Sequence, residues 1–191
     1  SYELNEKTSE AIILILMSAS GFFLMVDAEN LIMLFIGLEI GSISLYALAG
    51  LNRRDKLSNE ASLKYFLLGS LASCIFIYGV ALVYVSYSLM SVYDFALAIA
   101  YTGPDLIPLT TFIGVLLIFV GLLFKIAAAP FQSWAPDVYQ GSPTGYVGYM
   151  ASIVKAASFI VIARICMVSV RFILEDFETF FFAVIFLSVL I

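Results

Sequence analysis

No histidine occurs anywhere in these 191 residues, and there are only two cysteines, Cys74 and Cys166. Haem, iron–sulfur and zinc sites are built mainly from those two residue types, so no redox or metal centre is expected on this chain. The cysteines stand in separate apolar runs without ligand spacing, and they read as small core residues rather than a disulfide. Charge is scarce too: 12% of residues are Asp, Glu, Lys or Arg, and the net charge of −5 comes without a basic tract. That excludes a nucleic-acid binder. No charged, then apolar, then small-residue leader pattern opens the chain. Insertion into a membrane is therefore expected to rely on the first hydrophobic helix itself. The first residue is Ser1 rather than Met, and the expectation is that some N-terminal residues are missing.

What the chain has is apolar length. It is 63% hydrophobic, with a mean hydropathy of +1.07, far too much for a soluble domain to hide. The class is all-α, a polytopic membrane helix bundle. At about 20 apolar residues per crossing there is room for five full helices and part of a sixth. Polar punctuation places them at about 11–26, 31–51, 60–86, 106–129 and 142–168, with a partial helix at 177–191, all in a single transmembrane domain over 1–191. Asn59 and Glu60 suit the start of the third helix. A connection from Ser88 to Asp105 holds Asp94, Gly103 and Pro104 but no Lys or Arg. Arg53, Arg54 and Lys56 put the second loop on the cytoplasmic or matrix side, which places 88–105 opposite and brings 126–142 back. Arg171, on the outer side, fits less well.

Among the charged residues inside these runs, Glu39, Lys64, Lys125 and Lys155 call for explanation. A charge at the bilayer centre costs at least about 2.5–3.5 kcal/mol, so such residues are rare, paired, and mark ion or proton paths. Glu39, between Leu38 and Ile40, is too short to snorkel and needs a proton or a cation; the nearest candidate cation is Lys64 on the next helix. Glu60 and Lys64, at i,i+4, can also form an ordinary surface pair, with Lys64 snorkelling to the interface. Pro130 lacks an N–H and clashes with the carbonyl of Ile126, so the fourth helix is expected to break there, beside Lys125. Burial disfavours a lysine's ammonium form and a nearby carboxylate favours it. A lysine held between the two can take up or release a proton as neighbouring charges move. Lys155 lies roughly 20 Å into its helix, past the midplane. The serines and threonines of these runs read as helix packing more readily than as water holders.

Three stretches carry a resemblance: Leu34–Phe35–Ile36–Gly37–Leu38–Glu39, Glu60 to Ser70, and Phe124 to Thr144 with its Trp134–Ala135–Pro136–Asp137–Val138–Tyr139 core. Together they resemble the proton-pumping antiporter-like subunits of respiratory complex I, in the wording of the N-type branch, NADH dehydrogenase subunit 2. The likeness runs over about residues 10–170. It implies a fold of two inverted five-helix repeats joined by a charged midplane axis, of which this chain would hold the first. It implies that Glu39 pairs with Lys64, that Lys125 is the lysine of the discontinuous helix, and that Lys155 is the central lysine of the next. It also implies membrane-arm partners, among them neighbouring antiporter-like subunits, with FMN, iron–sulfur clusters and ubiquinone in partner subunits and none here. Gln132 departs from the family's usual His, and Gly145 and Val154 from usual prolines. The second repeat and three N-terminal helices have no counterpart; the second repeat is either a separate chain or lost. The expected role is proton translocation coupled to quinone reduction, with a non-pumping spacer or a cation/proton antiporter subunit as alternatives. Abundant Phe and Tyr favour the mitochondrial inner membrane over a bacterial plasma membrane, with lipid around the bundle.

Overall fold

In the computed structural model, residues 2–103, 106–169 and 174–190 are described. Pro104, Asp105, Arg171 and Ile191 lie outside them. Helix α1 spans Tyr2–Asp27, α2 Leu31–Ala49 and α3 Lys56–Tyr87. After them come α4 Val92–Thr102, α5 Leu109–Lys125, α6 Trp134–Gly141, α7 Thr144–Arg164 and α8 Leu174–Leu190. No strand is formed among the described residues. Among the described residues four helices are long and apolar enough to cross a membrane: Thr8–Asp27, Leu31–Ala49, Lys56–Tyr87 and Thr144–Val168, the last running into a five-residue π turn at Ile165–Ser169. The protein is an all-helical membrane bundle.

The boundaries have local causes. Asn30 caps α2, its side-chain oxygen accepting from the Ile32 amide at 2.8 Å. Asp55 caps α3 in the same way through Leu57. An Asx cap satisfies one otherwise orphaned N–H, so α3 starts four residues before Glu60. Asn59 instead donates its side-chain amide to the Arg53 carbonyl. The connection after Ser88 is also more regular than polarity suggests. Ser91 caps α4, an 11-residue helix that buries Val92, Phe95, Ala96 and Ile99. Asp94 in its first turn suits the positive end of a helix rather than marking a loop.

Helices α1 and α2 run antiparallel, as do α3 and α5, and each of these two pairs touches backbone to backbone, the second at Gly79 and Gly114. Where α1 crosses α2, a side chain on Gly21 would strike the Gly37 carbonyl and one on Gly37 would strike Met25. Small residues at a crossing let membrane helices approach and gain dispersion energy that lipid cannot supply. The outer ends are tied by Leu31 N–H to the Met90 carbonyl and Val92 N–H to the Glu29 carbonyl, each 2.9 Å. Arg164, at the same end, donates to the Val26 carbonyl at 2.6 Å. The 50–55 turn and α6 lie at the opposite, basic end, where Gly141 packs on the Leu57 backbone.

Cys74 is not a core residue. It is exposed, on the α3 face that also presents Leu67, Leu71 and Tyr78. In a bundle made for lipid the outer face is as apolar as the inner, so an apolar run does not locate the core.

Candidate functional site

Helix α5 ends at Lys125, short of Pro130. Pro130 has no N–H to continue the ladder, and the chain leaves the helix through Ala127, whose φ of 56° lies in the left-handed region. That conformation is unfavourable for a residue with a Cβ, and the surrounding bonds hold it. Ala127 N–H bonds to the Phe124 carbonyl and Ala128 N–H to the Leu123 carbonyl, each at 3.0 Å. Trp134 also donates its indole N–H to the Phe124 carbonyl, at 3.1 Å. From α8, Ser188 accepts the Ala129 N–H at 3.1 Å. The unwound turn is thus supplied with partners from α6 and α8, the condition under which irregular backbone survives at membrane depth.

The break delivers Lys125 into the core. Its side chain is 3% exposed, and the ammonium donates to Ser42 Oγ and Tyr46 Oη, both at 3.1 Å, with Ser73 Oγ at 3.5 Å. Ser42 and Tyr46 sit on α2 at Glu39+3 and Glu39+7, so one helix face carries all three. Glu39 is half-buried, and its carboxylate accepts the Ser73 hydroxyl. Gly69 leaves the space that the Tyr46 hydroxyl fills, since a Cβ there would overlap it. An aromatic series continues from this point: Tyr46 edge-on to Tyr65 at 4.7 Å, Tyr65 stacked on Trp134 at 4.9 Å, and Trp134 stacked on Phe124 at 5.6 Å.

Lys64 stands elsewhere. It bonds to Asp137 at 2.6 Å and to Glu60 at 2.8 Å, with all three side chains part-exposed. The expected Glu39–Lys64 pair is not formed. Ser73, which does meet Glu39, is nine residues further along α3, about 14 Å at 1.5 Å per residue. Asp137 was missed as a partner because only the docking of α6 on α3 brings it to Lys64. These three carboxylate and ammonium groups surround a cavity of about 130 Å³ together with Gln140 and Gly141. Lys155 is half-buried on α7 and makes no ion pair or hydrogen bond among the described residues. Gln132, beside the break, holds a buried side-chain oxygen without a partner among the described residues. No group of His, Cys, Asp or Glu there could hold a metal ion.

A helix interrupted inside the membrane, with a buried lysine at its broken end and a carboxylate one hydroxyl away, is the arrangement of an antiporter-like membrane protein. The chain belongs to the NADH:quinone oxidoreductase/Mrp antiporter transmembrane family, whose model matches residues 28–191. It is 48% identical over 149 residues to NADH-quinone oxidoreductase subunit N 1 of Chloroherpeton thalassium, covering 78% of this chain and 31% of that protein. Among solved structures, respiratory complex I from Thermus thermophilus aligns with a TM-score of 0.70 and 41% identity, over 81% of this chain and 34% of that one. The Mrp complex from a Dietzia species shares the fold, with a TM-score of 0.73 at 21% identity over 82% of this chain and 29% of that one. The chain thus spans about a third of the length of these relatives.

Proposed function

We propose that this chain forms part of a membrane subunit of a proton-translocating NADH:quinone oxidoreductase, and that Glu39, Lys64, Lys125 and Lys155 carry its proton-translocating charges. The observation that carries the reading is the Glu39–Ser73–Lys125 connection. A carboxylate and an ammonium, each on its own helix, communicate through one hydroxyl that can reorient. Addition or removal of charge at Glu39 is felt at Lys125 across a low-dielectric gap, where Coulomb interactions are many times stronger than in water. Lys125, at the end of a broken helix, then releases or takes up a proton. Lys155 on α7 is the next basic group along the chain, and Lys64 with Glu60 and Asp137 provides a charged cluster at the basic end.

Residues 1–191 act as a single transmembrane domain in this reading. Neighbouring antiporter-like subunits complete the charged axis, together with a second repeat supplied by residues other than 1–191. Quinone, FMN and iron–sulfur clusters belong to other subunits, and NADH is oxidised there. The relatives described above are bacterial, which supports a bacterial plasma membrane rather than the mitochondrial inner membrane favoured by the Phe and Tyr content. Lipid fills the exposed apolar faces.

The test is Lys125→Ala in the intact complex, reconstituted in vesicles. The expected result is a complex that still migrates with NADH dehydrogenase activity on a native gel but moves fewer protons per electron. An unchanged ratio in the assembled complex would leave the chain a spacer. Absence from the NADH-active band would favour an antiporter of the Mrp type, whose fold it shares.

A further inference from the structure

A second cavity, of about 520 Å³, is an open groove over α2 at the basic end of the bundle, flanked by α1 and α3. That volume falls within the roughly 300–1,000 Å³ of small-molecule sites. Its floor is Ile43, Ala47 and Gly50, one face of α2 at helical spacing. Ala47 and Gly50 add little bulk, whereas Leu14 on one side and Leu63 and Phe66 on the other rise as apolar walls. Ile43, Leu63 and Phe66 are each about half exposed, so the groove opens on the face that the bundle turns to lipid. From Gly50 to Ile43 it follows α2 for about 10 Å, most of the roughly 15 Å of hydrocarbon in one leaflet. The mouth, by contrast, is charged. Glu10 of α1 and Arg53 of the 50–55 turn stand side by side there, with Arg53 Nη2 3.3 Å from both carboxylate oxygens. Asn59 donates to the Arg53 carbonyl at 3.0 Å and steadies the turn that carries the arginine. Below it, Ser62 donates to the Tyr46 carbonyl at 2.7 Å and closes α3 against α2.

We propose that this groove is a binding site for one phospholipid of the ethanolamine class, with an acyl chain along Ile43 and Ala47 and the headgroup across Glu10 and Arg53. An exposed anion and an exposed cation in contact, above an apolar groove of nearly leaflet depth, complement the two charges and the tail of a zwitterionic lipid. The phosphate takes the Arg53 guanidinium, whose planar fork fits phosphate oxygens. The primary ammonium, a donor of three hydrogen bonds like that of lysine, takes the Glu10 carboxylate. Each protein charge then exchanges its present partner for one from the lipid, and neither is left unpaired. A glycerol headgroup satisfies Arg53 but sets its phosphate beside Glu10 without a cation. A choline headgroup has no N–H to donate. The site stands apart from Lys125 and does not depend on the role given to that residue.

The test is photo-crosslinking in the intact complex, reconstituted in vesicles of equal parts phosphatidylethanolamine, phosphatidylcholine and phosphatidylglycerol. Leu63→benzoylphenylalanine places the probe on the groove wall. Leu71→benzoylphenylalanine places it further along α3, at an exposed position outside the groove. Adducts are identified by mass spectrometry. The expected result is a several-fold enrichment of ethanolamine lipid at position 63 over position 71, lost in Glu10→Gln and in Arg53→Gln. The same lipid composition at both positions would reduce the groove to bulk lipid contact and overturn the site. A peptide adduct at position 63 would overturn it too, by showing a polypeptide segment in the groove. Enrichment of phosphatidylglycerol, or an ethanolamine enrichment indifferent to both charge variants, would overturn the headgroup assignment. Should the probe at position 63 prevent assembly, Phe66→benzoylphenylalanine on the same wall carries the same comparison.

Discussion

Ser73 offers one hydroxyl proton to two acceptors, the Glu39 carboxylate on the neighbouring helix and the Gly69 carbonyl one turn back on its own, the latter at 3.0 Å. The same oxygen lies 3.5 Å from the Lys125 ammonium. When the proton points to Glu39, the oxygen's lone pairs remain available to Lys125; when it points to Gly69, Glu39 loses its donor. Three helices thus share one rotor.

Ser73→Ala removes this rotor and leaves the Glu39 carboxylate without its donor. A hydrogen bond to a charged group contributes about 1.5–3 kcal/mol. The expected outcome is an assembled complex with slower coupled turnover, partly restored by Ser73→Thr. Turnover equal to the native protein in Ser73→Ala would remove Ser73 from the coupling.

Trp134 holds the broken helix in two separable ways. Trp134→Phe keeps stacking on Tyr65 and Phe124 but loses the indole bond to the Phe124 carbonyl, a cost of about 1 kcal/mol. Trp134→Leu loses the stacking as well, and a large-to-small change of a buried aromatic costs about 3–5 kcal/mol at its full extent. Thermal denaturation in detergent should rank native above Phe above Leu. Equal midpoints for the two variants would mean that the ring surface contributes nothing.

Asp137→Asn should loosen α6 from α3, because Lys64 then keeps only Glu60, a residue of its own helix. Glu60→Gln leaves the inter-helix bridge intact. Limited proteolysis of the 126–144 segment is expected to speed up in Asp137→Asn and to stay near native in Glu60→Gln. Identical cleavage rates would show that α6 is held by Trp134 and Gly141 without the ion pair.

The helical membrane class was legible because apolar runs of crossing length leave few alternatives, and Glu39 and Lys125 stood out as lone charges within them. Their neighbours were less legible. Tyr46 looks like one more aromatic in an apolar run, although its spacing of seven from Glu39 and four from Ser42 places it on their face. Helix order and the resemblance both pair Lys64 with Glu39; the spacing of four does offer Glu60, but the second partner, Asp137, depends on how the chain refolds after Pro130, which no periodicity describes. Helix α4 was taken for a connection because 11 residues with one Asp fall below the length at which an apolar pattern speaks clearly. Lys155 has no partner among the described residues that could test its assignment.

At 32 residues, α3 is about 48 Å long, well beyond a hydrocarbon layer of about 30 Å. A helix with that much surplus either tilts or projects. The basic loop, Glu60 and Lys64 lie at one end of it, and Ser73 lies near its middle. Projection at the basic end lifts the Lys64 cluster into the headgroup zone while Ser73 stays at membrane depth. One rigid rod therefore has a hydrated foot and a dry waist, and a thicker bilayer would draw the foot toward the hydrocarbon before it disturbed the waist.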